Sequence, residues 1–447
     1  MSERPIAGAP RPYRFPSFEH QRLDNGLGVW LVPLPHRELV SIHLLTDAGA
    51  ASEDEAHAGL AGLTAQLLVT GTRRLDASAF AETTERLGIE VGSESSWDSA
   101  RAGFTALGSK LDDGLELLAE MLRTPRLDPG EFDRLKSERL NDILQARADP
   151  GRLADESFLR EVFADDVPYG RLSAGRPETV EALTVEDAAA FHAGHYAPNV
   201  TDIIIAGAIT PEVARAAIER HLGDWGGTAP THRTIEPVQR GGRRIVLVDR
   251  PGSVQSELRV GHLGINRHDP RYFPAIVMAA LLGGVFGSRL NLRLREELGY
   301  TYSARASFDP RRAIGPFIAS AAVQTEVSVD AIRQLLGQLE RIRDSQPEEA
   351  ELAEVRNFLI GVFPLRFETT SGIASAIEPL AVYDQPHDWW QRYRARLETV
   401  GGSDVHRVAR ELVRPDEALI LVVGDASVLR AELEAADMGP VDVVSAA

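Results

Sequence analysis

The feature that most constrains this chain is an internal repeat with a period of roughly 200 residues. His195-Tyr196-Ala197-Pro198-Asn199 precedes a strand-like run from Thr201 to Gly207 and a helix-like run from Thr210 to Leu222. Leu412-Val413-Arg414-Pro415-Asp416 likewise precedes a strand-like run from Ala418 to Gly424 and a helix-like run from Ala426 to Ala435. A solenoid unit runs about 20–50 residues, so this period means two domain-sized halves, each needing its own core. The 447 residues suffice for both. Between them, Gly-Gly-Thr-Ala-Pro, Thr-Ile-Glu-Pro and Gly-Gly follow one another from Gly226 to Gly242, which is linker chemistry. The reading is an N-terminal half over 1–226, a linker over 227–242 and a C-terminal half over 243–447.

Within the first half, Asn25-Gly26 signals a turn into a strand over Gly28–Pro33, and a second strand runs from Val40 to Thr46. Helical patterning follows over Ala56–Thr70 and Ala77–Leu87, then strands over Glu90–Ser95 and Ser99–Ala106. Longer helices are expected over Lys110–Arg123 and Pro129–Ala148, with Pro129 in the first turn, where its missing N–H costs least. Strands recurring beside long amphipathic helices predict an α/β layered fold, each half a mostly antiparallel sheet packed with helices.

Charge and composition narrow the function. A net charge of −18 argues against the basic face that phosphate backbones require, so no nucleic-acid partner is expected. No cysteine is present, which removes thiolate ligands and redox chemistry. The longest apolar run, Ala275 to Phe286, is interrupted by glycines and too short to span a bilayer, so no membrane partner is expected. Met1 to His20 carries no apolar signal core; the expected location is cytoplasmic, or periplasmic if a leader has been removed.

The segment Gly59-Leu60-Ala61-Gly62-Leu63-Thr64-Ala65-Gln66-Leu67-Leu68-Val69-Thr70-Gly71-Thr72 reads first as an amphipathic helix with Leu60, Leu63, Leu67 and Leu68 inward and Gly71 as its cap. It also resembles the G-L-A-H-F-L-E-H-M-L-F-x-G-T stretch of the pitrilysin/insulinase-type zinc peptidases, whose H-x-x-E-H is an inverted zinc motif. Laid on that pattern, the two histidines become Gly62 and Gln66, and the catalytic glutamate becomes Ala65. The family's third ligand, a glutamate in an E-R-x-x-V-x-x-E pattern, falls at Gln145 of Glu138-Arg139-Leu140-Asn141-Asp142-Ile143-Leu144-Gln145. Glycine and alanine offer no donor and a neutral amide is a poor ligand, so no zinc cofactor is expected in this chain. The one close histidine pair, His192 and His195, reads as helix-end chemistry, since no carboxylate shares its face.

The second half carries Ser288-Arg289-Leu290-Asn291-Leu292-Arg293-Leu294-Arg295-Glu296-Glu297-Leu298-Gly299-Tyr300-Thr301-Tyr302. A helix is expected to end at Gly299 and a strand to begin at Tyr300, with Tyr302 on the same strand face. The segment resembles the family's L-R-x-x-x-x-L-G-Y pattern, whose arginine and tyrosine reach over bound peptide, and Arg293 and Tyr300 match them. Their plain alternative is local: Arg293 paired with Glu296 or Glu297, and Tyr300 packed behind the cap. The resemblance implies a two-lobed clamshell fold. It also implies a zinc-free subunit that closes the chamber of a heterodimeric metallopeptidase and lends Arg293 and Tyr300 to peptide bound at the zinc of a homologous partner. The segment Glu90–Ser95 sits where zinc-bearing relatives pair a strand with substrate. The rival expectations are a structural subunit, like the core subunits of cytochrome bc1, and a noncatalytic peptide-binding module.

Overall fold

The computed structural model describes residues 11–445 apart from 165–166, 233, 237 and 240. The first ten residues of the N-terminal segment and three linker positions therefore lie outside the described residues. The first sheet is built from β1 (Glu19–Arg22), β2 (Gly28–Pro33), β3 (Leu39–Thr46), β4 (Gly92–Ser95), β5 (Ala100–Leu107) and β6 (Thr201–Gly207), in the order β1-β2-β6-β3-β5-β4. The second contains β7 (Arg244–Asp249), β8 (Gln255–Leu263), β9 (Ala304–Phe308), β10 (Pro316–Gln324), β11 (Leu419–Gly424) and β12 (Val441–Ser445), in the order β12-β7-β11-β8-β10-β9. Setting aside the outermost β1 and β12, the two orders are the same path traced twice. The pairs β2–β6 and β7–β11 are parallel, and the three pairs that follow in each sheet are antiparallel. The repeat read from two short segments thus extends through the whole sheet.

The helices of the first half are α1 (Leu60–Leu68), α2 (Ala77–Leu87), α3 (Leu111–Arg123), α4 (Pro129–Ala148) and α5 (Pro150–Val162). Leu63, Leu67, Leu115, Leu118 and Phe132 from three of them join Ile42, Leu44, Phe104 and Ile203 in one core on one face of the first sheet. α1 is shorter than the expected Ala56–Thr70. Gly59 adopts φ +101, which a continuing helix cannot use, and its preceding residues form a separate turn over Glu55–His57. At the other end α1 stops at Leu68, and Gly71 (φ +149) lies past the end rather than capping it.

The halves exchange helices. α5 leaves the first half and lays Leu153, Phe158 and Val162 on Val246, Val248, Leu421 and Val423 of the second sheet. The helix Thr370–Val382 returns the favour, packing Ile373 and Ile377 with Trp30, Leu45, Ile204 and Ala206 of the first. Each sheet is therefore covered on both faces, which is why β3, β6 and β11 are buried along nearly their whole length. A histidine–carboxylate contact and an ion pair anchor the exchanged helices at equivalent register positions. His43 on β3 stands opposite Ile204 of β6, and Arg259 on β8 stands opposite Leu421 of β11, each partner lying the same distance before its closing glycine. His43 meets Glu378 at 2.6 Å, and Arg259 meets Asp155 at 2.6 Å.

The apolar segment after Tyr272 does not form one continuous rod. By length and hydropathy Tyr272–Glu297 could cross a membrane, but Val285–Ser288 interrupts it, and Leu281, Leu282, Leu290 and Leu294 are fully buried in the second core.

Candidate functional site

α1 presents Gly62 and Gln66 on one face, one turn apart, where the resemblance places two metal ligands. The side chain that meets them is Arg139 of α4. Its Nη2 donates to Gln66 Oε1 at 3.0 Å, and a Cβ added at Gly62 would lie 3.2 Å from Nη1 and 3.3 Å from Nη2. A guanidinium therefore stands where a metal's ligands would converge. Ala65 is buried in the core side of α1. Gln145, the expected third position, is exposed on α4 and does not join this cluster. The inward stripe of α4 runs through Phe132, Leu135, Ile143 and Ala146, and Arg139 falls in phase with it whereas Gln145 does not.

Glu53 completes the surroundings. Its carboxylate accepts from the backbone N–H of Ala61 at 2.5 Å and of Gly59 at 3.1 Å, so it closes the N-terminus of α1. Burial pushes its pKa up to about 7, against the pull of those two N–H groups and of Arg171 and Arg139. Burial also lowers the Arg139 pKa, with Asp142 and Glu53 opposing. A donor set of glycine, alanine, a neutral amide and a cation does not fit zinc. Among the described residues no group of three or more His, Cys, Asp or Glu side chains is placed to hold a metal ion. His192 and His195 lie in the last turn of the helix Val185–His195, where His192 Nε2 bonds the Leu122 carbonyl at 2.8 Å and His195 stacks on Phe191.

The second cluster lies in the other half. Leu292–Glu297 winds as a π-helix, and Gly299 at φ +67 ends it, with the Tyr300 N–H returning to the Leu294 carbonyl at 2.8 Å. The strand expected at Tyr300 begins only at Ala304, because this cap and a turn through Thr301–Ser303 use up the intervening residues. Tyr302 consequently does not share a strand face with Tyr300; it is 97% exposed. Arg293 and Tyr300 are brought together through the helix Ser328–Asp344. Arg293 Nε donates to Gln334 Oε1 at 2.9 Å and Nη1 to Glu297 at 2.6 Å, while Tyr300 Oη donates to Asp330 at 3.0 Å. The bond to Asp330, then burial, raises the phenol pKa, and Arg293 opposes the rise. Tyr300, Tyr302, Arg295 and Arg305 line a cavity of 710 Å³ beside the second sheet. Arg139, Glu53, Asp330 and Gln334 escaped the sequence reading; the stripe of α4 carried a signal for Arg139, whereas the Asp330–Gln334 pairing is purely tertiary.

The edge strand β4 flanks a further cavity of 560 Å³, lined by His43, Ser93, Glu94, Arg101 and Thr105 among others. Arg101 bridges Glu94 of β4 at 3.2 Å and Glu378 of the exchanged helix at 2.8 Å.

Comparison with known proteins places this geometry. Residues 29–167 match the family described as Insulinase (Peptidase family M16), and residues 182–359 match the Peptidase M16 inactive domain. The non-peptidase homolog YmxG of Helicobacter pylori is 26% identical over 336 residues, 74% of this chain and 76% of that one. An uncharacterized zinc protease of Mycobacterium tuberculosis is 25% identical over 396 residues, 88% of this chain and 90% of that one. A peptidase M16 inactive domain from Pseudomonas fluorescens shares the fold at a TM-score of 0.85 and 24% identity, over 91% of this chain and 98% of that one. A chain of Complex III2 from Candida albicans does so at 0.78 and 17%, over 94% and 99%. With matches in both halves and the fold in common, this chain belongs to the insulinase (M16) peptidase family.

Proposed function

We propose that this chain is a noncatalytic M16 subunit that pairs with a zinc-bearing homologue and lends Arg293 and Tyr300 to peptide bound there. The observation that carries the reading is the guanidinium of Arg139 set against Gly62 and Gln66, where zinc ligands would converge, so this niche offers zinc no donor set. The name of the Helicobacter pylori relative, a non-peptidase homolog, supports the noncatalytic part. In such a pair the partner supplies metal, activated water and the general base. Arg293 offers a planar fork of N–H donors and Tyr300 one O–H, the donor types that orient a scissile carbonyl and stabilise the oxyanion formed from it. Both donors are now turned on Glu297, Gln334 and Asp330, so engagement of peptide requires exchanging those partners for the substrate.

The same bonds favour a second reading, a structural subunit in which the pair merely ties the Gly299 turn to the helix Ser328–Asp344. The test begins with the purified chain alone, which should contain no stoichiometric zinc and cleave no peptide. Mixed with a zinc-bearing homologue, it should elute as a 1:1 complex. One tightly bound zinc per chain with chelator-sensitive proteolysis would overturn the proposal.

A further inference from the structure

We propose that the niche between α1 and α4 is a carboxylate-binding site built on Arg139, taking the C-terminal carboxylate or an acidic side chain of a peptide. The arginine is half-buried, and among the described residues its guanidinium makes one hydrogen bond, to the neutral amide of Gln66. No Asp or Glu of the described residues stands within ion-pair distance of it. The two carboxylates that act on it do so through space: Glu53 is committed to the N–H groups of Gly59 and Ala61, and Asp142 is exposed on α4. Three other sheltered arginines of this chain, by contrast, are paired with carboxylates. Arg289 grips Glu351 through two bonds of 2.7 and 2.8 Å, Arg244 holds Glu161 at 2.9 Å, and Arg259 holds Asp155.

A guanidinium withdrawn from water without a counter-charge is costly, and an incoming carboxylate offsets that cost through a fork-to-fork pair. Gly62 leaves no side chain over the guanidinium, since a Cβ there would lie 3.2 Å from Nη1 and 3.3 Å from Nη2. The niche thereby keeps the positive charge of a metal site and recognises an anion without activating water. This inference rests on the subunit reading only in taking a peptide as the carrier of the carboxylate.

The test uses the full chain alone and isothermal titration with three peptides of one neutral sequence. One has a free C-terminal carboxylate, one a C-terminal amide, and one the amide plus a single internal glutamate. At least one acid should bind about tenfold or more tighter than the neutral amide, and which acid does so identifies the source. Arg139→Gln should erase that preference and Arg139→Lys restore it in part. Gly62→Asp should block binding by placing a carboxylate on the guanidinium while keeping Arg139, so a loss of fold in Arg139→Gln leaves the question decided. Equal binding of all three peptides, no binding of any, or undiminished acid binding by Gly62→Asp would overturn the proposal. Because neither partner nor turnover is involved, failure here is distinct from failure of the subunit reading.

Discussion

At the scale of single residues, the niche between α1 and α4 holds a sheltered charge pattern of Arg139 and Glu53. Glu53 is the residue whose titration reports on it. Its pKa is raised by burial from 4.5 to about 7, so the folded state binds the proton more tightly than the unfolded chain. Stability from this group is fully present below the unfolded value and is lost as pH rises through about 7, in total on the order of 3 kcal/mol. Urea unfolding of the parent between pH 5 and 8 should therefore show a decline that Glu53→Gln lacks; parallel pH dependences would contradict it. Arg293 and Tyr300 belong to the same scale. Losing one oxyanion-type donor costs on the order of 10²–10³ in rate. In the reconstituted complex, Arg293→Ala should lower kcat by that order with little change in partner affinity, and Arg293→Lys should rescue poorly because an ammonium lacks the fork. Normal turnover by Arg293→Ala would make the residue a brace of the Gly299 turn.

At the scale of elements, the exchanged helices decide how the halves behave. Phe158 of α5 is fully buried, and its ring lies 2.9 Å from the place a Cβ would take at Gly261 of β8, so sheet and helix fit only with glycine there. Phe158→Ala removes the ring from that contact and should cost about 3–5 kcal/mol. Denaturant unfolding measures this directly, and a loss under about 1 kcal/mol would mean that α5 is not a structural clasp. Much of this level was legible beforehand. β2, β6, α2, α4 and the helix Ala426–Ala435 fall where periodicity and turn chemistry put them, since amphipathic stripes and caps are local signals. What was not legible is tertiary. Nothing local tells α5 to cross to the other sheet, nor Asn291 to bond both backbone groups of Ala304 so that β9 starts late. Gln145, where the motif puts the third position, is exposed on α4, whereas the burial phase of that helix brings Arg139 to Gln66.

At the scale of the whole molecule, two copies of one sheet path are clasped by each other's helices. The first copy sets Arg139 against Gly62 and Gln66, and the second sets Tyr300 at the lining of a cavity, with Tyr300 and Arg293 both bonded to the helix Ser328–Asp344. Under the proposed function, such a chain completes the site of a zinc-bearing homologue rather than containing one. The most direct test is the turnover of a zinc-bearing homologue with a peptide substrate, measured alone, with this chain, and with its Tyr300→Phe variant, which deletes one hydroxyl and keeps the ring. The account predicts weak turnover alone and strong turnover with the parent chain. With the variant, turnover should fall by on the order of 10²–10³ while the 1:1 complex persists. Equal turnover with parent and variant, or full activity of the homologue by itself, would contradict it.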